Sequence, residues 1–181
     1  MRSVLRALPL FLSLGLSAAD PSAVLGSARQ VWPDNVSFAV VCNYGMSREA
    51  VQAAAQAASE NGFRTLTVVD VHQVANMGQA LGYLAGHNTR LVLLLPKDPV
   101  AGDGTFGATA LVNGLNSYGI PACSTRSIAL KQGAAMAQGE DTNGLLLTQG
   151  VEYTFTKPTI LKPARTSELI PPAEIRIVAF R

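Results

Sequence analysis

Charged residues are scarce in this chain of 181 residues. Lys, Arg, Asp and Glu together make up 14% of it, whereas apolar residues make up 48%. This balance excludes intrinsic disorder, because disordered chains are rich in charge and poor in apolar side chains. The formal net charge is only +2, and the basic residues form no cluster, which argues against nucleic acid as a partner.

Cysteine and histidine are also rare, with two residues of each. His72 and His87 form no His-x-x-x-His pair and have no cysteine or carboxylate at metal-ligand spacing, so we predict no metal site. The chain lacks a Gly-x-Ser-x-Gly turn, and no Gly-x-Gly-x-x-Gly follows its first predicted strand. These absences argue against a hydrolase nucleophile and a dinucleotide cofactor. We therefore predict a binding protein that is not an enzyme and holds no cofactor.

No apolar run reaches the roughly 20 residues that a membrane-spanning helix requires. The N-terminal run, 7–16, follows Arg2 and Arg6 and precedes the small residues Ser-Ala-Ala at 17–19. This pattern predicts a signal peptide over 1–19, export to the periplasm or the medium, and no membrane span after cleavage. Removal of the two arginines leaves 12 basic and 12 acidic residues, so the mature chain is nearly neutral.

Strand-like and helix-like segments alternate between residues 36 and 150, which is the pattern of βαβ units. Right-handed crossovers then predict an α/β fold with a doubly wound parallel sheet, flavodoxin-like or Rossmann-like, in three αβα layers and with the strand order 2-1-3-4-5. We predict strands at 36–42, 65–70, 90–95, 120–124 and 144–148, separated by helices at 50–61, 72–85, 105–118 and 127–137.

The segments on either side of this α/β domain are predicted to be extended. Residues 20–35 contain Pro, Gly, Asp and Asn and are predicted as a lead-in that carries one short helical turn at most, and 151–181 as a proline-rich tail. Apolar and polar residues alternate over 174–180, which predicts a terminal strand at a half-exposed edge or facing a partner.

The predicted strand order bears on Cys42 and Cys123. Strand 3 separates the two strands that carry them, which places the cysteines about 10 Å apart at a spacing of about 4.8 Å between neighbouring strands. A disulfide requires Cα atoms within about 7 Å. We therefore predict two buried free thiols.

Ligands of open parallel sheets bind beyond the carboxyl ends of the strands, at the point where the strand order reverses. The loops that flank this point begin near Asn43 and Lys97. Ser47 is predicted as the N-cap of the helix that follows the first strand, and the free N–H groups at the start of that helix suit a carboxylate. The alternative is that these residues have structural roles only, with Asn43 as a turn residue, Ser47 as a helix cap and Lys97 as a solvated charge. The other candidate ligand-binding residues follow the strand ends: Tyr44, Asp70, Asp98, Ser124 and Thr125.

Three segments carry a likeness to a known family: 39–44 followed by Ser47, 93–98, and 119–124 followed by 130–134. With them, residues 36–150 resemble one lobe of the type I periplasmic substrate-binding proteins of ABC transporters, in particular the branch linked to tryptophan or tyrosine uptake. The resemblance implies a small polar ligand and the membrane subunits of a transporter as partners. That family closes two lobes on its ligand, whereas this chain has room for one.

Two functions follow as expectations. In the first, an exported single lobe binds a small polar ligand or a partner at the carboxyl ends of its strands: Asn43 and Ser47 contact polar ligand groups, Lys97 neutralises a carboxylate and Tyr44 forms an apolar wall. In the second, the chain is a non-catalytic interaction module that dimerises with a second copy or docks through its terminal strand, 174–180.

Overall fold

A computed structural model describes residues 21–138, 145–147 and 174–180. Within these residues seven strands form one sheet in the order β6-β5-β4-β3-β1-β2-β7, and every strand except β6 runs parallel to its neighbours. The strands are β1 (Ser37–Cys42), β2 (Thr65–Val71), β3 (Val92–Leu94), β4 (Ala122–Ser124), β5 (Met136–Gln138), β6 (Leu145–Leu147) and β7 (Glu174–Phe180). The helices are α1 (Pro21–Val31), α2 (Tyr44–Glu60), α3 (Met77–Gly86), α4 (Phe106–Ser117) and α5 (Ile128–Lys131).

Helices cover both faces of the sheet, which confirms the predicted α/β class. Strand β1 shows why the layers form, because its side chains alternate between two cores. Val40 and Cys42 belong to a buried cluster with α1 and α2, whereas Ala39 and Val41 belong to a second cluster with α3, α4 and α5. The strand is therefore buried on both faces and is almost continuously apolar.

The predicted extended lead-in over 20–35 is wrong for most of its length, because helix α1 occupies Pro21–Val31. Pro21 is the first helical residue, where its missing N–H costs nothing. Val24, Leu25 and Ala28 are buried at helical spacing and pack in the core shared with α2. This short stripe of apolar residues is the signal that outweighs the glycine and prolines around it.

The strand order differs from the predicted 2-1-3-4-5 at both ends of the sheet. The order β2-β1-β3-β4 is as predicted, but β5 lies between β4 and the predicted fifth strand, which is β6 and runs antiparallel. The predicted helix over 127–137 is wrong for its second half. Gly133 takes a φ of 94°, which ends the short helix α5, and the buried residues after it form β5.

Cys42 and Cys123 are buried free thiols, as predicted. They lie on β1 and β4, and β3 runs between these strands.

The terminal strand forms as predicted, with seven residues of β7 in register with β2, and it is the last of the described strands on that side of the sheet. Ile177 of this strand is 49% exposed.

Candidate functional site

The strand order reverses at β1, which has β2 on one side and β3 on the other. The loops after β1 and β3 therefore meet at the carboxyl edge of the sheet, the edge at which the parallel strands end. Asn43 leaves β1 and is the N-cap of α2, with its side-chain oxygen accepting from the Met46 N–H at 3.3 Å. The prediction that Ser47 is this cap is wrong. Ser47 lies at a kink inside α2, with φ −110° and ψ 16°.

Asp98 connects the two loops. It is 1% exposed, and its Oδ1 accepts from the backbone N–H groups of Val100 at 2.9 Å and Ala101 at 2.8 Å. Its Oδ2 accepts from the Asn43 N–H at 2.8 Å and from the Ser47 hydroxyl at 2.5 Å. Four hydrogen bonds stabilise the buried carboxylate, and they hold the loop after β3 against the start of α2.

Asp70 performs a similar role from the other side of β1. Its Oδ1 accepts from the Tyr44 N–H at 2.9 Å, and its Oδ2 lies 3.4 Å from His72 Nε2. Both backbone N–H groups that open α2, those of Asn43 and Tyr44, are thus bonded to carboxylates of the chain itself. The anion predicted to sit at this helix start is therefore supplied, at least at these two groups, by Asp98 and Asp70.

Lys97 lies next to this cluster and has an unusual backbone conformation. Its φ is 64°, in the left-handed region that a residue with a Cβ enters at a cost of about 1–2 kcal/mol. Its side chain is exposed. Gly102 makes the turn possible, because a Cβ at that position would lie 2.4 Å from the Asp98 carbonyl oxygen. Lys97 is consequently presented to solvent beside the reversal point by a tightly fixed loop.

A second cluster joins the loops after β3 and β4. The Ser124 hydroxyl donates to Asp103 Oδ2 at 2.7 Å, and Arg126 lies 3.1 Å from Asp103 Oδ1. Asp103 is 5% exposed. Sequence reasoning missed Asp103 and Arg126 as partners, because a Gly-Asp-Gly segment indicates a tight turn and no spacing rule links residues 23 positions apart.

Thr125 follows Ser124 and is 5% exposed. Its hydroxyl oxygen is buried and forms no hydrogen bond with any residue of the described ranges. The eight predicted site residues thus divide by their contacts. Asn43, Ser47 and Asp98 form one cluster, Tyr44 and Asp70 form a bonded pair beside it, Ser124 belongs to the Asp103 cluster, Lys97 is exposed and Thr125 is buried without a partner.

Two large apolar side chains are exposed at the carboxyl edge. Met46, in the first turn of α2, is 72% exposed, and Phe106, the first residue of α4, is 79% exposed. Phe106 faces outward because Thr105 caps the helix and the buried positions of the helix begin at Gly107. A Cβ on Gly107 would lie 1.8 Å from the Val100 carbonyl oxygen, so this position sits against the loop and Phe106 points away.

The thiol of Cys42 lies just below this edge. Burial raises its pKa well above the ordinary value, and the nearby carboxylates of Asp98 and Asp70 raise it further. Burial alone raises the pKa of Cys123 to about 12. Both thiols keep their protons at neutral pH, so neither is a nucleophile there.

Among the described residues, no group of three or more His, Cys, Asp and Glu side chains converges as metal ligands would. Of the helices in the described ranges, none is long and apolar enough to cross a membrane.

The fold and this edge define an α/β protein with a parallel sheet and a polar, fixed reversal point. No protein-family model and no curated protein sequence matches the chain. A solved structure of a conserved domain protein from Vibrio cholerae is similar in fold, with a TM-score of 0.52 and 16% identity. The match covers 64% of this chain and 39% of that one, so this chain corresponds to well under half of that protein. Identity this low shows a shared fold alone.

Proposed function

We propose that this chain is an exported, non-catalytic binding protein that holds a small polar ligand with a carboxylate at the carboxyl edge of its sheet. The observation that carries the proposal is Lys97, an exposed cation held at a φ of 64° beside the reversal point. Strained backbone of this kind persists where the surrounding structure enforces it, and it is concentrated at functional sites.

The hydrogen bonds of Asp98 support a rigid site. They fix the loop that carries Lys97 to the start of α2 through Asn43 and Ser47. A cation presented by a fixed loop loses less freedom when it binds an anion than one on a mobile loop does. Asn43 and Ser47 therefore serve the site by positioning Lys97, and the ligand contacts proposed for them come second to that role.

The exposed apolar side chains supply the second kind of contact. Met46 lies in the first turn of the helix after β1, and Phe106 is the first residue of the helix after β3. Ligand sites typically combine apolar walls with a few fixed polar groups. Tyr44 is half-buried at the same edge, with the Arg48 guanidinium 5.5 Å from the centre of its ring. This chemistry favours a ligand that carries an apolar portion next to its carboxylate.

Calorimetric titration of residues 20–181 with each of the twenty amino acids tests the proposal, since each probe carries a carboxylate. We expect saturable heat from at least one of them and at least tenfold weaker binding in Lys97→Asn. Asparagine tolerates the left-handed backbone, so this variant removes the charge without adding strain. Arg90→Asn is the matched control. Arg90 is an exposed cation that precedes β3, whereas Lys97 follows β3, so the two charges lie at opposite ends of this strand.

Two results would contradict the proposal. One is the absence of saturable heat with every amino acid. The other is equal affinity in the parent chain, Lys97→Asn and Arg90→Asn, which would show that the lysine makes no contact.

A second candidate function is association through β7. Among the described strands, this one pairs with β2 alone and lies at one end of the sheet, and Ile177 on it is 49% exposed. Unpaired edge strands can add to the sheet of a partner or of a second copy. Deletion of β7 would also uncover β2, so a substitution is the cleaner test.

Light scattering of residues 20–181 compares Ile177→Lys with Val36→Lys, a control at a second exposed apolar residue outside β7. Association through β7 requires an oligomer in the parent chain that only Ile177→Lys dissociates. A parent chain that stays monomeric at every concentration tested would rule out self-association through this edge.

A further inference from the structure

Two buried polar atoms at the carboxyl edge lack hydrogen-bond partners. They are Thr125 Oγ1 and Gln138 Oε1, and no other buried side-chain oxygen or nitrogen in the described ranges is unpaired. Thr125 is 5% exposed, and Gln138 ends β5 and is half-buried. Native proteins pair nearly all such atoms with protein groups or with bound molecules. The two unpaired oxygens therefore call for a partner that the described residues do not supply.

The sheet register brings these two residues together. Cys123 pairs with Met136 and Ser124 with Ala137, and these strands lie about 4.8 Å apart. Thr125 directly follows Ser124, the last residue of β4, and Gln138 is the last residue of β5. The register therefore places the two residues next to each other at the carboxyl ends of neighbouring strands.

We propose that Thr125 and Gln138 form a subsite for a neutral ligand group that both donates and accepts a hydrogen bond, a carboxamide or a hydroxyl. The Gln138 oxygen requires a donor, and the threonine hydroxyl can give or accept the second bond. The subsite takes a neutral group because neither side chain carries a charge, and an ion held by these two residues alone would be buried without a counter-ion.

The subsite rests on the proposed function and extends it. Lys97 follows β3, and Gln138 ends β5 two strands away, at about 10 Å by strand spacing. A ligand of that length can place its carboxylate on Lys97 and its carboxamide or hydroxyl between Thr125 and Gln138.

The experiment uses residues 20–181 with ¹³C-labelled threonine methyl groups, and titrates acetamide, which donates and accepts, against acetone, which only accepts. We expect a saturable shift of the Thr125 methyl resonance with acetamide and at least a tenfold weaker response with acetone. A Gln138→Leu variant should lose the acetamide response.

Stability gives a second readout. Thr125→Val removes an unpaired hydroxyl and keeps the side-chain shape, so its urea midpoint should equal or exceed that of the parent chain. Thr109→Val is the matched control, because the Thr109 hydroxyl bonds to Thr105 and Gln132, and its urea midpoint should fall.

The proposal is overturned if acetamide gives no saturable shift, in which case the space holds a water molecule or nothing. It is also overturned if Thr125→Val lowers the midpoint as much as Thr109→Val does, because the hydroxyl would then have a partner. Failure here is separable from failure of the proposed function, since Lys97→Asn should leave the acetamide response unchanged.

Discussion

Replacement of Asp98 by asparagine is the most informative single perturbation of this fold. The carboxylate is 1% exposed and accepts four hydrogen bonds, two at each oxygen. Asparagine has nearly the same shape, but only one of its two terminal atoms is an acceptor. Whichever way the amide turns, two donors face an NH₂ group.

The magnitude follows from the bonds lost. A hydrogen bond to a charged group contributes about 1.5–3 kcal/mol, so two lost bonds cost about 3–6 kcal/mol in free energy of unfolding. Relaxation of the loop and entry of water reduce this, and we expect about 3–5 kcal/mol. A domain of this size unfolds with about 5–15 kcal/mol, so Asp98→Asn should be severely destabilised but still measurable.

Urea denaturation of residues 20–181, followed by circular dichroism, measures the effect. Asp34→Asn is the control, since Asp34 is an exposed aspartate near the start of β1, and its free energy of unfolding should change by less than about 0.5 kcal/mol. Should Asp98→Asn fail to fold, Ser47→Ala removes one of the four bonds and should cost about 1–3 kcal/mol. A loss below about 1 kcal/mol in Asp98→Asn would refute the argument that this carboxylate holds the two loops together.

Three further predictions concern backbone and thiols. Lys97→Gly should raise the free energy of unfolding by about 1 kcal/mol in urea, because glycine takes the φ of 64° without strain; no change would mean that this backbone is unstrained. Gly102→Ala should lower the free energy of unfolding by about 3 kcal/mol or more, since its Cβ would lie 2.4 Å from a carbonyl oxygen. Gly86→Ala should cause no such loss, because a Cβ there has nothing within 4 Å; equal effects of the two substitutions would contradict the packing. Cys42 and Cys123 should resist a thiol reagent at pH 8 until urea unfolds the chain. Stability should fall as pH rises from 9.0 towards 12, by up to about 1.4 kcal/mol per pH unit per thiol, because the unfolded chain releases these protons first; a flat profile would contradict their burial.

The sequence allowed the order β2-β1-β3-β4 to be predicted because each of these strands is an apolar run followed by a helix that can cross back over the sheet. It did not allow β5 to be predicted. That strand is only three residues long, and the alanines before it favour a helix. It forms a strand by pairing with β4, and such pairing is a tertiary effect that intrinsic propensity does not predict.

The candidate site shows the same division. The topology rule located Asn43, Lys97 and Asp98 at one edge of the sheet before any contact was known. The roles of these residues could not be predicted from the sequence, because whether a carboxylate binds a ligand or the chain itself depends on which N–H groups lie within about 3 Å of it. The backbone strain at Lys97 was equally hidden, since no composition or spacing marks a lysine for positive φ.

The proposed ligand site at the carboxyl edge is tested most directly by mapping which residues a ligand contacts. Amide resonances of ¹⁵N-labelled residues 20–181 should be followed during titration with the amino acid that gives the largest heat. We predict saturable shifts at the starts of α2 and α4 and in the loop containing Lys97, extending to Thr125 and Gln138 for a ligand long enough to reach them. None is expected at Asn61 or Tyr118, which lie where these two helices end. Shifts clustered at Asn61 and Tyr118, or no saturable shifts anywhere, would contradict the account.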